Sequence, residues 1–344
     1  MNLRCSVISA LTAAAMLTPW SRPAAQADPR AALLKLIERK RVPLSAQVRV
    51  RPDGGQYNAE HFTFASEQGE RVAGILMAPA SASGRRPVVV VLHGSGAKKE
   101  EQLGLLRTLA DRGFTSVAID ARYHGERART NQGVDEYIGA LLQTYRSGQG
   151  HPYLYDTVWD TMRLVDYLVT RPDVDPKRIG LLGISKGGTE TYLTAAVDPR
   201  IGVAVPIIGV QGFRWALDHD AWQPRVATFQ PAVDGAARDE GRQVDAAFVR
   251  RFYARVAPGL DSVFDGPSML PLIAPRPLLI INGDSDPRTP LPGVLECVQA
   301  AERAYAAAGA QDKVGFYLQP HAGHVFTPVA ELVALDWLAR WLSP

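Results

Sequence analysis

Pro87 is followed by five apolar residues, Val88-Val89-Val90-Val91-Leu92, and the run stops at His93-Gly94. A strand with one wet face alternates apolar and polar residues. An unbroken β-branched run therefore describes a strand covered on both faces, as in parallel sheets flanked by helices. Parallel neighbours need crossover connections, and the chain supplies one. Leu103, Leu106, Leu109 and Ala110 share a helical face, and a second buried run, Ser116-Val117-Ala118-Ile119-Asp120, completes a βαβ unit. The rhythm continues. Val158, Met162, Val165 and Leu168 recur at helical spacing until Arg171-Pro172. A strand over 178–184, a helix over 187–197 and a strand over 202–208 follow. After a break at 210–272 come a strand over 277–283, a helix over 291–308, a strand over 313–318 and a last helix capped by Thr327 with Pro328 at its first position. Earlier, residues 31–41 read as a helix, and 47–51, 61–66 and 71–79 alternate like half-buried antiparallel strands. The pattern predicts an α/β fold: a mostly parallel, doubly wound sheet with helices on both faces and a small insertion.

The first residues have a different character. Arg4, an apolar small-residue stretch over 7–17 and Ala25-Gln26-Ala27 match an export signal cleaved before Asp28, with Pro19 breaking a run already short for a membrane span. The expected organisation is a signal peptide over 1–27 and one domain over 28–344 with an insertion at about 210–272, exported to the periplasm or the medium. Cys5 leaves with the signal, so Cys297 has no intramolecular disulfide partner. The formal charge of +3 becomes 36 basic against 35 acidic groups once Arg4 and Arg22 are gone. Such a balance does not favour nucleic acid or an anionic membrane as partner.

Gly183-Ile184-Ser185-Lys186-Gly187-Gly188 lies between a predicted strand and a predicted helix. A sharp turn there lifts a serine hydroxyl above the sheet, with glycines two residues either side because side chains would meet backbone. Alone, the same residues could form an ordinary glycine-rich turn capped by Ser185. His93-Gly94-Ser95-Gly96 follows the first buried strand at the same end of the sheet and suits a second backbone oxyanion donor. The donors expected are the amides of Lys186 and Ser95, with His93 as a structural hydrogen-bonding residue. An acid belongs in the loop Gly283-Asp284-Ser285-Asp286-Pro287-Arg288-Thr289-Pro290. Asp286 is preferred, and Asp284 is the alternative that would bond its own turn. His321-Ala322-Gly323-His324 falls after the last strand, and His324 is the expected base, oriented by Asp286 and activating Ser185. A metal site using the two histidines and the two aspartates would leave Ser185 without a purpose, and the chemistry requires no metal or organic cofactor.

On these residues the chain resembles the α/β-hydrolase superfamily. The likeness is to the dienelactone-hydrolase-like and acetyl-xylan-esterase-like branches, and also to the catalytic domain of prolyl-oligopeptidase-type peptidases. It runs over about residues 70–344 through His93-Gly94, Asp120-Ala121-Arg122-Tyr123-His124-Gly125, Gly183 to Gly188, Gly283 to Asp286 and Gly323-His324. The resemblance implies that the 122–125 turn borders the active site, with Arg122 paired to a carboxylate or touching substrate. A dienelactone hydrolase proper has a cysteine nucleophile where Ser185 stands, and no propeller-like repeats precede this chain's hydrolase part.

The 210–272 segment holds Phe213, Trp215, Trp222, Phe229, Phe248, Phe252, Tyr253 and Phe264. Inserted here it resembles a cap, whose aromatics either line a pocket or form the cap's own core. The expected activity is hydrolysis of a small-molecule or carbohydrate ester through an acyl-enzyme. The rivals are a peptidase or amidase using the same triad and a non-catalytic binder on the same fold. Physiological ester, acyl length and oligomeric state leave no signature in the sequence.

Overall fold

The computed structural model describes residues 28–51, 55–81, 83–130 and 133–343. The proposed signal segment lies outside the described residues. Nine strands form one sheet: β1 Gln47–Arg51, β2 Tyr57–Glu67, β3 Glu70–Pro79, β4 Arg86–Leu92, β5 Thr115–Ile119, β6 Val174–Ile184, β7 Ile201–Ile207, β8 Leu278–Gly283 and β9 Val314–Gln319. Their order is β1-β2-β3-β5-β4-β6-β7-β8-β9. The first three strands and the β3–β5 pair are antiparallel. From β5 to β9 every pairing is parallel.

The apolar run of β4 explains its place. Val88, Val90 and Leu92 join the hydrophobic cluster on one face of the sheet, while Val89 and Val91 join the cluster on the other. The helices Tyr155–Leu168 and Lys186–Val197 contribute to the first layer, and Leu103–Asp111 and Pro328–Leu342 to the second. After β4 the chain moves to β5 on one side, then to β6 on the other. The strand order thus reverses at β4, and the crevice at the carboxyl ends of β4 and β6 is where doubly wound sheets place ligands.

Four elements depart from the sequence reading, two of them strands that begin earlier, β2 at Tyr57 rather than 61 and β6 at Val174 rather than 178. The opening helix is Pro29–Ile37 rather than 31–41, because the Asp28 side chain accepts from the Arg30 amide and Pro29 suits the first turn. A further helix, Gly133–Ser147, was not anticipated from the pattern. It packs against helices Gln230–Glu240 and Ala246–Val256 of the 210–272 segment. Tyr145 stacks on Phe252 at 5.3 Å, and its hydroxyl lies 2.5 Å from Glu240 Oε1. Of the eight aromatics noted in that segment, all but Trp215 are buried. They pack on one another, as Phe229 does on Phe252 and Tyr253, and so make a core for the helices above the sheet.

Candidate active site

Ser185 directly follows β6 and precedes the helix Lys186–Val197. Its backbone sits at φ 58°, ψ −114°, a conformation that L-residues rarely adopt, held by its amide donating to the Ile207 carbonyl at 2.8 Å. The turn is tight enough to exclude side chains beside it. A Cβ on Gly183 would lie 2.1 Å from the Gly187 oxygen, and one on Gly187 would lie 2.3 Å from the Leu92 oxygen. Backbone cannot yield as a flexible side chain does. Gly187→Ala is therefore expected to destabilise the fold by about 3 kcal/mol or more. Urea unfolding checks this, and a midpoint within 0.2 M (roughly) of the parent would contradict it.

The loops after β8 and β9 bring the other two groups to this serine. His324 Nε2 lies 2.8 Å from Ser185 Oγ, and His324 Nδ1 lies 2.7 Å from Asp286 Oδ2. The Asp286 carboxylate is in turn held by the Arg288 amide at 2.8 Å and by Thr289 Oγ1 at 2.7 Å. Thr289 Oγ1 also lies 2.8 Å from Asn282 Oδ1, and the Asn282 amide donates to the Thr289 carbonyl at 3.2 Å. Neither Asn282 nor Thr289 was singled out from the sequence. Thr289 stands three residues after Asp286, a spacing at which Asx and Ser/Thr turns close, so a local signal existed. Asp284 serves elsewhere. It accepts from the amides of His321 and Ala322 at 2.8 and 3.1 Å and so fastens the β8 loop to the β9 loop.

Burial alone would raise the Asp286 carboxyl, but the hydrogen bond and charge of His324, with Thr289 and the Arg288 amide, outweigh it and hold the group below its ordinary range. For His324 burial is again the largest influence, and here it lowers the pKa. The Asp286 contacts oppose it, while the charges of Arg225 and Arg288 reinforce it, leaving the imidazole below its ordinary value of 6.5. A neutral imidazole is the form that can accept a hydroxyl proton. If His324 is the base, kcat/KM falls as pH drops through its pKa, so the acid limb is expected to have its midpoint below 6.5. A kcat/KM profile on a non-ionising ester checks this, and a midpoint above that value contradicts it.

Loop 93–96 abuts the same serine, since a Cβ on Gly94 would lie 3.5 Å from Ser185 Cβ. The amides of Ser95 and Lys186 have no acceptor among the described residues. His93 is structural, as its hydrogen bonds require. Burial and the Lys186 charge lower its pKa to about 3. In the neutral ring Nδ1 donates to the Gly94 carbonyl at 2.8 Å and Nε2 accepts the Ala121 amide at 3.0 Å. Arg122 pairs with Glu67 and, at 3.2 Å, with Asp160, so its side chain anchors the 122–125 turn. The Lys186 side chain forms a buried ion pair with Glu190.

A cavity of about 490 Å³ opens over Ser185 and His324. Val134, Tyr137, Ile184, Ile208, Val325 and Phe326 make its wall largely apolar, with Ser95, Thr228 and Arg288 adding polar groups. Among the buried aromatics of the 210–272 segment none lines it; Tyr137 comes from the helix that sequence reasoning missed and Phe326 from the loop after β9.

A parallel sheet with a strained serine between strand and helix, and an acid and a histidine delivered by later loops, defines an α/β-hydrolase. The comparisons make this more particular. The model of the acetyl xylan esterase family (AXE1) matches residues 36–214, and that of the prolyl oligopeptidase family matches residues 145–343. Each match covers more than half of the chain. A Bacillus subtilis (strain 168) protein named as a hydrolase, YtaP, is 27% identical over 286 residues, covering 79% of this chain and 84% of its own. A 4-O-methyl-glucuronoyl methylesterase of Sodiomyces alcalophilus is 27% identical over 180 residues, and there the match spans 52% of this chain but only 35% of the relative. Among solved structures, the acetyl xylan esterase from Paenibacillus sp. R4 superposes with a TM-score of 0.64 at 22% identity, covering 92% of this chain and 93% of its own. The chain belongs to the acetyl-xylan-esterase-like branch of the α/β-hydrolases, and is a carboxylic ester hydrolase. Among the described residues no helix is long and apolar enough to cross a membrane.

Proposed function

We propose that this protein cleaves a carboxylic ester of a small molecule or a carbohydrate through an acyl-enzyme on Ser185. The observation that carries the reading is the unbroken line from Asp286 through His324 to the Ser185 hydroxyl at the floor of a cavity. His324 Nε2 takes the hydroxyl proton as Oγ adds to the ester carbonyl. The oxyanion is held by the Lys186 and Ser95 amides, which have no acceptor among the described residues. Collapse of the intermediate breaks the bond to the alcohol, which leaves with the proton from His324. Water, deprotonated by the same imidazole, then adds to the acyl carbonyl; the bond to Oγ breaks, the acid leaves and the imidazolium returns the proton to Ser185. Asp286 holds the Nδ1–H tautomer and stabilises the imidazolium of each step. The helices over 210–272 act as the cap of this site together with Gly133–Ser147.

The esterase-named relatives support an ester substrate, whereas the prolyl oligopeptidase match keeps peptide amides as the second reading. A rate comparison of p-nitrophenyl acetate, butyrate and octanoate with aminoacyl-prolyl p-nitroanilides separates them. Ester turnover exceeding anilide turnover at every chain length is the expected result, and the reverse order would replace the first reading by the second.

A further inference from the structure

Two arginines beside the cavity have no part in the acyl transfer just described. Arg225, on the short helix Gln223–Val226, is 4% exposed. Its side chain makes one bond among the described residues, from Nε to Gln211 Oε1 at 2.9 Å, and Nη2 is buried without an acceptor. The buried carboxylates of the region are already engaged. Glu190 pairs with Lys186, Asp286 with His324, and Asp265 caps the amides of Phe213, Arg214 and Gly266. A guanidinium has only donors, so nothing but an acceptor can satisfy it, and leaving it buried without a counter-charge is costly.

The neighbourhood repeats the deficit. Tyr137 lines the cavity, yet its hydroxyl is buried without a partner. Arg225 adjoins this wall: Thr228, which lines the cavity, donates from its hydroxyl to the Arg225 carbonyl at 2.8 Å. Arg288 lines the same cavity. Its amide is bound to Asp286, but its side chain makes no hydrogen bond or ion pair among the described residues. A neutral hydroxyl or carbonyl entering here would satisfy donors and leave both charges uncompensated. An anionic oxygen pair answers both needs.

We propose that the cavity selects esters bearing a carboxylate, received between Arg225, the Tyr137 hydroxyl and Arg288 while Ser185 attacks the ester carbonyl. The inference rests on the ester-cleaving role of Ser185 and adds the class of substrate. The carboxylate is a spectator: it forms and breaks no bond, and the proton path through His324 is unchanged. It can belong to the acyl or the alcohol half, and the test has an arm for each.

In the acyl arm, kcat/KM for p-nitrophenyl hemiglutarate is compared with that for p-nitrophenyl pentanoate. In the alcohol arm, 4-acetoxybenzoate is compared with 4-acetoxybenzamide. The expected result is a preference of about tenfold or more for the anionic member in one arm. Arg225→Met and Arg288→Gln should each bring that ratio towards unity, and 0.5 M salt (roughly) should affect the more exposed Arg288 contact more. Ready cleavage of the neutral esters with no anionic preference in either arm would overturn the inference and leave the esterase reading standing. A preference surviving both substitutions would also overturn it. Failure to cleave any of the four esters would remove the esterase reading itself, and this inference with it.

Discussion

Ser185→Ala is expected to lower kcat on p-nitrophenyl acetate by about five to six orders of magnitude, with the protein still folded. The size of the effect follows from what is removed. The hydroxyl is the only group at the turn able to form the acyl bond, and without it His324 has only water to activate. The residual rate would come from the amides around the oxyanion and from binding. Stability is expected to stay within about 1 kcal/mol, because among the described residues the Ser185 side chain bonds only to His324 and the tight turn is set by glycines and by the Ser185 amide. Activity within a hundredfold of the parent in a sample with the parent's unfolding midpoint would show that another group carries the reaction.

Asp286→Asn is expected to cost about 10⁴-fold in kcat. An asparagine at this position can turn its amide nitrogen to His324 Nδ1, which then becomes an acceptor and moves the ring proton to Nε2. That tautomer cannot take the proton of Ser185. Thr289 and the Arg288 amide would still hold the side chain, so the geometry persists while the chemistry fails. Asp284→Asn gives the contrast. Its oxygen can keep one of the bonds to the His321 and Ala322 amides, and the expected loss is less than about tenfold. Measured side by side on one ester, the two variants test the assignment of the acid. A larger loss at 284 than at 286 would reverse it.

The sheet was legible because its strands declare themselves chemically. Val88 to Leu92 has no polar residue, so it had to be covered on both faces, and its residues divide between the two hydrophobic clusters as that reading requires. The positions of Ser185, Asp286 and His324 were legible for a related reason: each follows a parallel strand, buried for β6 and β8 and half-exposed for β9, and strand ends in such a sheet meet at one edge. Asp284 was read as bonding its own turn, whereas its carboxylate accepts from the His321 and Ala322 amides of the other loop, a contact between distant segments that local turn chemistry does not report. The cavity wall was not legible. Tyr137 lies on a helix whose apolar positions face the helices over 210–272 rather than the sheet, so its pattern reports no regular layer. The aromatics of 210–272 drew attention by their size, yet all but Trp215 fill the core of those helices. Arg225 has no local motif at all. It matters through its burial and through the partner that it lacks, and both depend on contacts between distant segments.

The central claim is that one hydroxyl becomes covalently bonded to substrate. Incubation with a fluorophosphonate, proteolysis and mass mapping read this directly. The account predicts a single phosphonylated peptide carrying Gly183-Ile184-Ser185-Lys186, with labelling lost in Ser185→Ala and greatly slowed in His324→Ala. A label on any other residue, or full labelling of folded Ser185→Ala, would contradict it.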